Sequence, residues 1–153
     1  MAIDRVREYF KKFGKDQDIL EFKVSSATVG DAAVAIGCDE AHIAKTMSFI
    51  VLDKPILIVL AGDRKIDNSK FKQVIKRKAK MIPMDDLGDL IGHEAGGVCP
   101  FGINDGVKVY LDESLKRFEF VYPACGSSNS AIKLTISELE KYANADSWID
   151  VSK

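Results

Sequence analysis

The residue in this chain with the clearest chemical potential is a lysine in an otherwise apolar row. Over residues 44–52, which predict a strand, the odd positions Lys45, Met47, Phe49 and Val51 share one face. An ammonium group in such a row is costly unless it is paired or contacts a polar ligand. Its alkyl stem also allows the charge to reach solvent at a strand end. Two alternatives therefore stay open for Lys45, ligand binding and simple exposure.

A glycine-rich segment is the second candidate, with four glycines and one proline in residues 92–102. Glycine lets the backbone approach a ligand closely and proline fixes a turn, so consecutive amides there could bind a carbonyl oxygen or a phosphate. The segment matches neither a P-loop nor a dinucleotide fingerprint. Taken alone, the composition slightly favours a tight structural loop.

Cysteine nucleophiles form the third candidate, namely Cys99 or Cys125 with His42 or His93 as a base. The spacing does not show which of these side chains meet, and small buried thiols are commonly inert core residues. The chain has three cysteines and no CxxC pair, which argues against a disulfide framework or a zinc knuckle. We expect free thiols in the cytoplasm and neither a metal nor a cofactor.

The bulk properties predict one compact domain over residues 1–153. The longest apolar run, around residues 56–61, is far shorter than the roughly 20 residues that a membrane helix needs, so no membrane partner is expected. The net charge of −1 argues against a general nucleic-acid binder. However, residues 64–80 contain eight basic side chains against the single acid Asp67, a window charge of +7. One surface is therefore strongly basic.

The periodicity of the sequence predicts the elements that position these residues. Helical spacing of apolar residues runs over residues 3–14, and a hairpin is predicted where residues 53–55 join two strands. A helix capped by Asp67 or Asn68 would align Lys72, Lys76 and Lys80 on an exposed face, and Ser137 with Glu140 suggests a capping box for the last helix. Strands outnumber helices without regular βαβ alternation. The predicted fold class is α/β, in a mixed α+β arrangement. Its mixed, mostly antiparallel sheet is predicted to curl into a barrel-like core surrounded by helices.

Five short motifs, taken together, resemble the YbaK family of editing domains associated with prolyl-tRNA synthetase. Their order and approximate spacing match over roughly residues 20–142, and each motif alone is weak. They are Ile43-Ala44-Lys45-Thr46, Ala61-Gly62-Asp63-Arg64, Gly96-Gly97-Val98-Cys99-Pro100-Phe101-Gly102, Leu111-Asp112-Glu113-Ser114-Leu115 and Cys125-Gly126-Ser127-Ser128-Asn129.

The resemblance implies a YbaK-like barrel fold and an activity. Such domains hydrolyse the ester between a wrongly attached amino acid and the terminal adenosine of tRNA, for instance alanine or cysteine on proline tRNA. The water is thought to be activated with help from the ribose hydroxyl of the substrate, without a covalent intermediate, which fits RNA and not DNA as the partner. The expected partners are the acceptor end of an aminoacyl-tRNA and, by association, prolyl-tRNA synthetase.

The resemblance also implies site residues. Lys45 falls on the required lysine of the family and would hold a phosphate or ester oxygen, while Gly96 and Gly97 would position the aminoacyl carbonyl through backbone amides. Arg64, Lys72, Lys76 and Lys80 would contact the tRNA. The predicted substrate-binding residues are Met47, Phe49, Asp63, Val98, Cys99, Pro100, Phe101, Gly102, Cys125, Gly126 and Asn129.

The chain departs from the family pattern at two of these positions. Cys99 stands where relatives often have serine or threonine, and Cys125 stands near a position that is histidine in some alanine-specific members. The amino acid that is removed therefore stays open. Two alternatives to the deacylase also stay open, a non-catalytic tRNA- or nucleotide-binding module of the same fold and a thiol-dependent hydrolase using Cys99.

Overall fold

The computed structural model describes residues 2–153 and builds a mixed α+β fold around one curled six-stranded sheet. The helices are α1 (Ala2–Lys11), α2 (Val29–Ile36), α3 (Asn68–Ile75), α4 (Leu87–Leu90) and α5 (Ile136–Tyr142). The strands are β1 (Leu20–Glu21), β2 (Ile43–Val51), β3 (Lys54–Ala61), β4 (Lys108–Asp112), β5 (Phe120–Pro123), β6 (Ser130–Ala131), β7 (Leu134–Thr135) and β8 (Ser147–Ile149). The predicted fold class is confirmed.

The large sheet has the strand order β7-β5-β2-β3-β4-β8, and β1 pairs with β6 in a separate ribbon. The predicted hairpin is present as the antiparallel pair β2–β3. The pairs β2–β5, β3–β4 and β4–β8 are parallel, whereas β5–β7 is antiparallel. The sheet is therefore mixed as predicted but less antiparallel than expected, because long crossovers separate β3 from β4 and β4 from β8.

The two faces of the sheet pack against different layers. Even positions of β2 and odd positions of β3 face the main core, where Phe10 of α1 and Phe101 are fully buried. The opposite face packs Phe49 against Phe71 of α3, with ring centroids 4.9 Å apart. Alternation along β2 therefore decides which side chains reach which layer.

Several predicted helix boundaries are corrected by the structure. Helix α3 ends at Ile75, and Lys76 takes a left-handed conformation (φ +69°), so Lys80 lies beyond the helix and the three lysines do not form one helical stripe. The capping box of α5 is formed by Thr135 and Glu138 rather than by Ser137 and Glu140. Within residues 2–153, no helix is long and apolar enough to cross a membrane.

Candidate functional site

A small cleft opens beside the central strand β2. Its volume is about 240 Å³. One wall is the start of α2 with the loop before it, a second is the edge of β2, and a third is the glycine-rich loop. The lining residues are Ser26, Ala27, Thr28, Val29, Ala32, Ile43, Ala44, Lys45, Thr46, Met47, Ser48, Met81, Leu87, Ala95, Gly96, Val98, Tyr122, Ala124, Ser130 and Ala131.

The cleft exists because β2 has a gap in its pairing. Strand β5 pairs with β2 only at Ile43 and Ala44, and the segment around Met81 pairs with it only near Phe49. The carbonyl of Ser48 accepts from Ile82 N, and the amide of Ile50 donates to the carbonyl of Lys80. These bonds run from the even residues Ser48 and Ile50 toward the edge of β2 that is not paired with β3. Thr46 is also an even residue of β2, so its amide and carbonyl point toward that edge, within the gap. The cleft thus has a backbone donor and acceptor at its wall.

Lys45 carries the charge of the cleft. Its side chain is half-buried, and none of the ion pairs formed within residues 2–153 involves it. Desolvation lowers the pKa of Lys45, with the nearby charge of Asp63 acting in the opposite direction and that of Lys65 in the same direction. An ammonium that has lost water without gaining a close counter-ion is suited to an anionic or strongly polar ligand.

The carboxylate of Asp63 is already engaged by an arginine that sequence reasoning missed. Arg117 binds it through two contacts, Nη1 to Oδ2 at 3.0 Å and Nη2 to Oδ1 at 2.6 Å. This pair lowers the pKa of Asp63. Arg117 Nε also donates to the carbonyl of Ser114 at 2.9 Å. Asp63 therefore organises the rim near Lys45 instead of offering a free carboxylate to a substrate.

The motif before Arg117 explains how that rim is built. Buried Asp112 accepts hydrogen bonds from the amides of Ser114 and Val151 and from the hydroxyl of Ser152. The hydroxyl of Ser114 in turn accepts from the amide of Ala61 at 3.1 Å. These bonds fix the short 3-10 helix that ends at Arg117. The motifs around residues 61–64 and 111–115 are thus joined in space.

The glycine-rich loop presents some residues to the cleft and turns others into the core. Gly96, at φ +90°, lines the cleft, and an added Cβ would lie 3.2 Å from the Cβ of Ala27. A Cβ on Gly97 would lie 2.6 Å from the carbonyl carbon of Gly126 and 2.7 Å from Ser127 N. The amide of Gly97 donates to the carbonyl of Glu94. Gly97 therefore holds the loop against the neighbouring turn, and its amide is not free for a substrate carbonyl.

Comparison with known proteins decides what this architecture is. Residues 24–142 match the aminoacyl-tRNA editing domain family. The chain belongs to this family. The resemblance drawn from the five motifs is thereby confirmed.

Known proteins and solved structures resemble this editing domain to different degrees. The uncharacterized protein YwhH of Bacillus subtilis (strain 168) is 49% identical over all of the chain and 98% of its own length. Proline–tRNA ligase of Lactobacillus gasseri is 24% identical over 81% of the chain, which spans only 22% of the ligase. A crystal structure provisionally assigned as a trans-editing enzyme for prolyl tRNA synthetase superposes with a TM-score of 0.89 at 25% identity, covering 99% of the chain and 97% of that structure.

The two cysteines that were predicted to bind the substrate lie in the core. Cys99 and Cys125 are both 0% exposed. Burial raises the pKa of Cys99 to about 12 and raises that of Cys125 well above its usual range. Both thiols therefore stay protonated near neutral pH, where the thiolate is the reactive form.

His93 does not activate Cys99. Its Nε2 lies 2.7 Å from the carbonyl oxygen of Phe101, so this nitrogen carries the proton, and the sulfur of Cys99 lies 3.5 Å from the same atom. The other nitrogen, Nδ1, is buried and has no hydrogen-bond partner among the described residues, and burial lowers the pKa of His93. A ring that donates from the nitrogen facing the thiol cannot accept the thiol proton there.

Of the remaining residues that were predicted to bind the substrate, some line the cleft and others do not. Met47 and Val98 line the cleft. The predictions for Phe49, Cys99, Pro100, Phe101 and Cys125 are corrected, because these side chains are buried in the core and do not reach the cleft. Gly102 and Gly126 lie on other depressions of the surface. Asn129 donates to the carbonyl of Phe22 and accepts from Ser127, so it ties the wall together.

The four basic residues that are predicted to contact tRNA differ in their exposure and in their relation to the cleft. Lys72, Lys76 and Lys80 are exposed, Arg64 is half-buried, and Lys80 directly precedes Met81 at the cleft wall. Sequence reasoning missed the wall residues from Ser26 to Val29, although Thr28 as a helix cap was a usable signal. Within residues 2–153, no group of three or more His, Cys, Asp or Glu side chains is arranged to hold a metal ion.

Proposed function

We propose that this editing domain acts in trans as an aminoacyl-tRNA deacylase, cleaving the ester between a wrongly attached amino acid and the terminal adenosine of tRNA. The observation that carries the proposal is Lys45, a partly desolvated ammonium at a small cleft of an editing-domain fold, with no ion pair in the described part of the chain. The ammonium would hold a phosphate or the ester oxygen. Positioning and charge stabilisation of this kind can supply most of the acceleration of an acyl-transfer reaction.

The proposed chemistry relies on the substrate for its proton transfer. Of the lining side chains, only Lys45 and Tyr122 are titratable, and neither is a ready base at neutral pH. A neighbouring ribose hydroxyl would orient the attacking water, whose oxygen bonds to the carbonyl carbon. The tetrahedral oxyanion would then collapse, breaking the bond to the ribose oxygen, which takes up the proton. The products are a free amino acid and an uncharged tRNA, with no acyl-enzyme.

The volume and lining of the cleft favour a small aminoacyl group. About 240 Å³ is less than the roughly 300 to 1,000 Å³ typical of sites for larger ligands. The lining combines alanines and valines with the hydroxyl-bearing Thr46 and Ser48, and the buried Thr46 Oγ1 finds no hydrogen-bond partner within residues 2–153. We therefore propose alanine or cysteine on proline tRNA as the substrate class, with prolyl-tRNA synthetase as the enzyme whose errors are corrected.

The acceptor stem would approach over the basic surface formed by Arg64, Lys72, Lys76 and Lys80. Lysine and arginine contacts to phosphates give sequence-independent, salt-sensitive affinity and fix the orientation of the RNA. The location of Lys80 beside the cleft wall supports this path, since a stem bound there would bring its end to the cleft.

A second candidate is a non-catalytic module that binds tRNA or nucleotides. The absence of a carboxylate, imidazole or thiol from the cleft lining favours it, because such a site offers binding without a protein base. The two functions differ in a single observable, the release of amino acid from tRNA.

Deacylation of a panel of mischarged tRNAs tests the proposal. Alanyl, cysteinyl, seryl and prolyl forms of proline tRNA would be incubated with the protein, and alanyl-tRNA of alanine would serve as the control for tRNA identity. We expect the alanyl or cysteinyl form of proline tRNA to be hydrolysed well above the spontaneous rate and the prolyl form to be spared. If no form is hydrolysed faster than buffer alone while tRNA still binds, the binding module replaces the deacylase.

A further inference from the structure

A row of four rings, which we name the aromatic strip, runs outward from the cleft along β5. It consists of Tyr122, Phe120, His42 and Phe118. The ring centroids of Tyr122 and Phe120 are 5.9 Å apart, those of Phe120 and His42 are 5.5 Å apart, and those of His42 and Phe118 are 4.4 Å apart. The strip is therefore continuous from the cleft wall to the surface.

Two cations lie over the rings of the strip. Lys133 Nζ is 4.1 Å from the centroid of Phe120, and the guanidinium carbon of Arg117 is 4.7 Å from the centroid of Phe118. Lys133 is exposed and takes part in none of the ion pairs formed within residues 2–153. Aromatic rings and positive charge thus lie together along one surface, and of the two cations only Arg117 is held in an ion pair among residues 2–153, with Asp63.

The strand register places the strip on the same side of the sheet as Lys45. Ile43 of β2 is aligned with Tyr122 of the parallel strand β5, so their side chains leave the same face. Lys45 follows two positions later on that face. Tyr122 itself lines the cleft. The charge of Asp63 acts on the pKa of Lys45, and the same carboxylate binds Arg117 at the outer end of the strip.

Core packing does not account for Phe120. The ring is half-buried and belongs to none of the three apolar clusters of the described chain, whereas Tyr122 packs on the α2 cluster and Phe118 on the main core. The ring contacts of Phe120 are with His42, Tyr122 and Lys133. Phe120 therefore presents part of its ring at the surface, next to two aromatic side chains and the ammonium of Lys133.

We propose that the aromatic strip binds the unpaired nucleotides at the 3′ end of the tRNA, rings stacking on bases and Lys133 contacting a phosphate. Proteins that hold single-stranded nucleic acid combine stacking aromatic side chains with positive charge, and stacking tolerates any base because every base has a π face. The proposal deepens the proposed function and rests on it for the identity of the RNA. It also assigns the base-paired stem and the unpaired end to different surfaces.

Binding of uncharged RNA tests the strip without using hydrolysis. Two labelled RNA hairpins of identical stem would be compared by fluorescence anisotropy, one with a few unpaired 3′ nucleotides and one with a blunt end. The variants are Phe120→Leu, which removes the ring but keeps apolar bulk, Phe120→Trp, which keeps a ring, and Lys133→Ala. Phe13→Leu is the matched control, because Phe13 is also partly exposed and has Lys141 5.7 Å from its centroid on another face.

We expect Phe120→Leu to weaken binding of the tailed hairpin about tenfold and Phe120→Trp to restore it, with the blunt hairpin and Phe13→Leu unaffected. Lys133→Ala should weaken binding several-fold and reduce its salt dependence. Equal affinity of wild type and Phe120→Leu for the tailed hairpin would overturn the proposal, as would equal losses for the two hairpins. If binding depends on the ring but no mischarged tRNA is hydrolysed, the deacylase function is contradicted and the strip is still supported as an RNA-binding site.

Discussion

The cleft at Lys45 and the buried thiols of Cys99 and Cys125 are two regions that the sequence offers as candidates for chemistry and that differ entirely in environment. Lys45 is half-buried, borders a cleft and has no ion pair among residues 2–153. The two thiols are 0% exposed, and burial holds them in the unreactive protonated form. The protein therefore exposes a positive charge in a shaped cavity, whereas these two thiols are inaccessible to a substrate.

Replacement of Lys45 should produce the largest effect. Lys45→Met removes the charge while keeping the length of the side chain, and we expect single-turnover deacylation to fall at least about 100-fold. Lys54→Met, at the exposed start of β3, is the control and should behave as wild type. Near-normal turnover by the Lys45 variant would move the chemistry away from the cleft.

The same variant carries a pH signature in its stability. Because burial lowers the pKa of Lys45 relative to the unfolded chain, the charged lysine costs stability below its folded pKa, and this cost disappears as the pH rises through the folded value toward 10.5. Lys45→Met should therefore unfold at an equal or higher denaturant concentration at pH 7, with the difference shrinking toward high pH. Marked destabilisation at pH 7 would indicate that Lys45 is a structural residue.

Gly97→Ala should rank second. Its Cβ would meet the backbone of Gly126 and Ser127 at 2.6 to 2.7 Å, so the loop carrying Gly96 must shift. A displacement of about 1 Å in a positioning element can reduce turnover on the order of 100-fold. Gly106→Ala is the control, since that glycine has a positive φ, which Gly97 lacks, and an added Cβ there would meet nothing within 4 Å. Similar losses in the two variants would show that the contact of a Cβ at position 97 with Gly126 and Ser127 does not cause the effect.

The basic surface formed by Arg64, Lys72, Lys76 and Lys80 should contribute more to the binding of tRNA than to the chemical step. We expect the Lys72→Ala, Lys76→Ala, Lys80→Ala triple variant to raise KM several-fold, to leave kcat close to wild type and to weaken the salt dependence of KM. A triple alanine variant of the exposed lysines Lys11, Lys12 and Lys108, which lie on other parts of the surface, is the comparison. An unchanged KM at low and high salt would remove this surface from the RNA path.

Cys99→Ala should have the smallest effect on activity. Deacylation is expected to stay within about threefold of wild type, while stability falls by about 1 kcal/mol because a buried side chain is truncated. In the native protein only half-buried Cys38 should react with an alkylating reagent, and all three thiols should react after denaturation. Loss of activity in proportion to alkylation of Cys99 would revive the thiol mechanism.

Sequence reasoning predicted the parts of the site that depend on simple periodicity. The alternation along β2 correctly placed Lys45 and Met47 on one face, but Phe49 passes beyond the cleft and packs on Phe71. The thiols were placed wrongly because a glycine-rich loop has no fixed period, so the burial of Cys99 could not be read from its neighbours.

Arg117 and the aromatic strip were missed for a different reason. Arg117 reaches Asp63 only because Asp112 caps the turn that carries it, a contact between residues distant in sequence. The alternation of rings at positions 118, 120 and 122 is typical of a strand, yet their contact with His42 depends on the parallel pairing of β5 with β2. Parallel pairing between distant segments leaves little local signal.

In the proposed reaction, the protein supplies position and charge while the substrate supplies the hydroxyl that directs the water. Single-turnover hydrolysis of a mischarged tRNA, compared with the same tRNA ending in 2′-deoxyadenosine and acylated at the 3′ oxygen, tests this claim most directly. We expect the deoxy substrate to be cleaved at least about 100-fold more slowly with little change in binding, a loss typical of removing a proton-transfer partner. Equal rates for the two substrates would contradict the account and require a base within the protein.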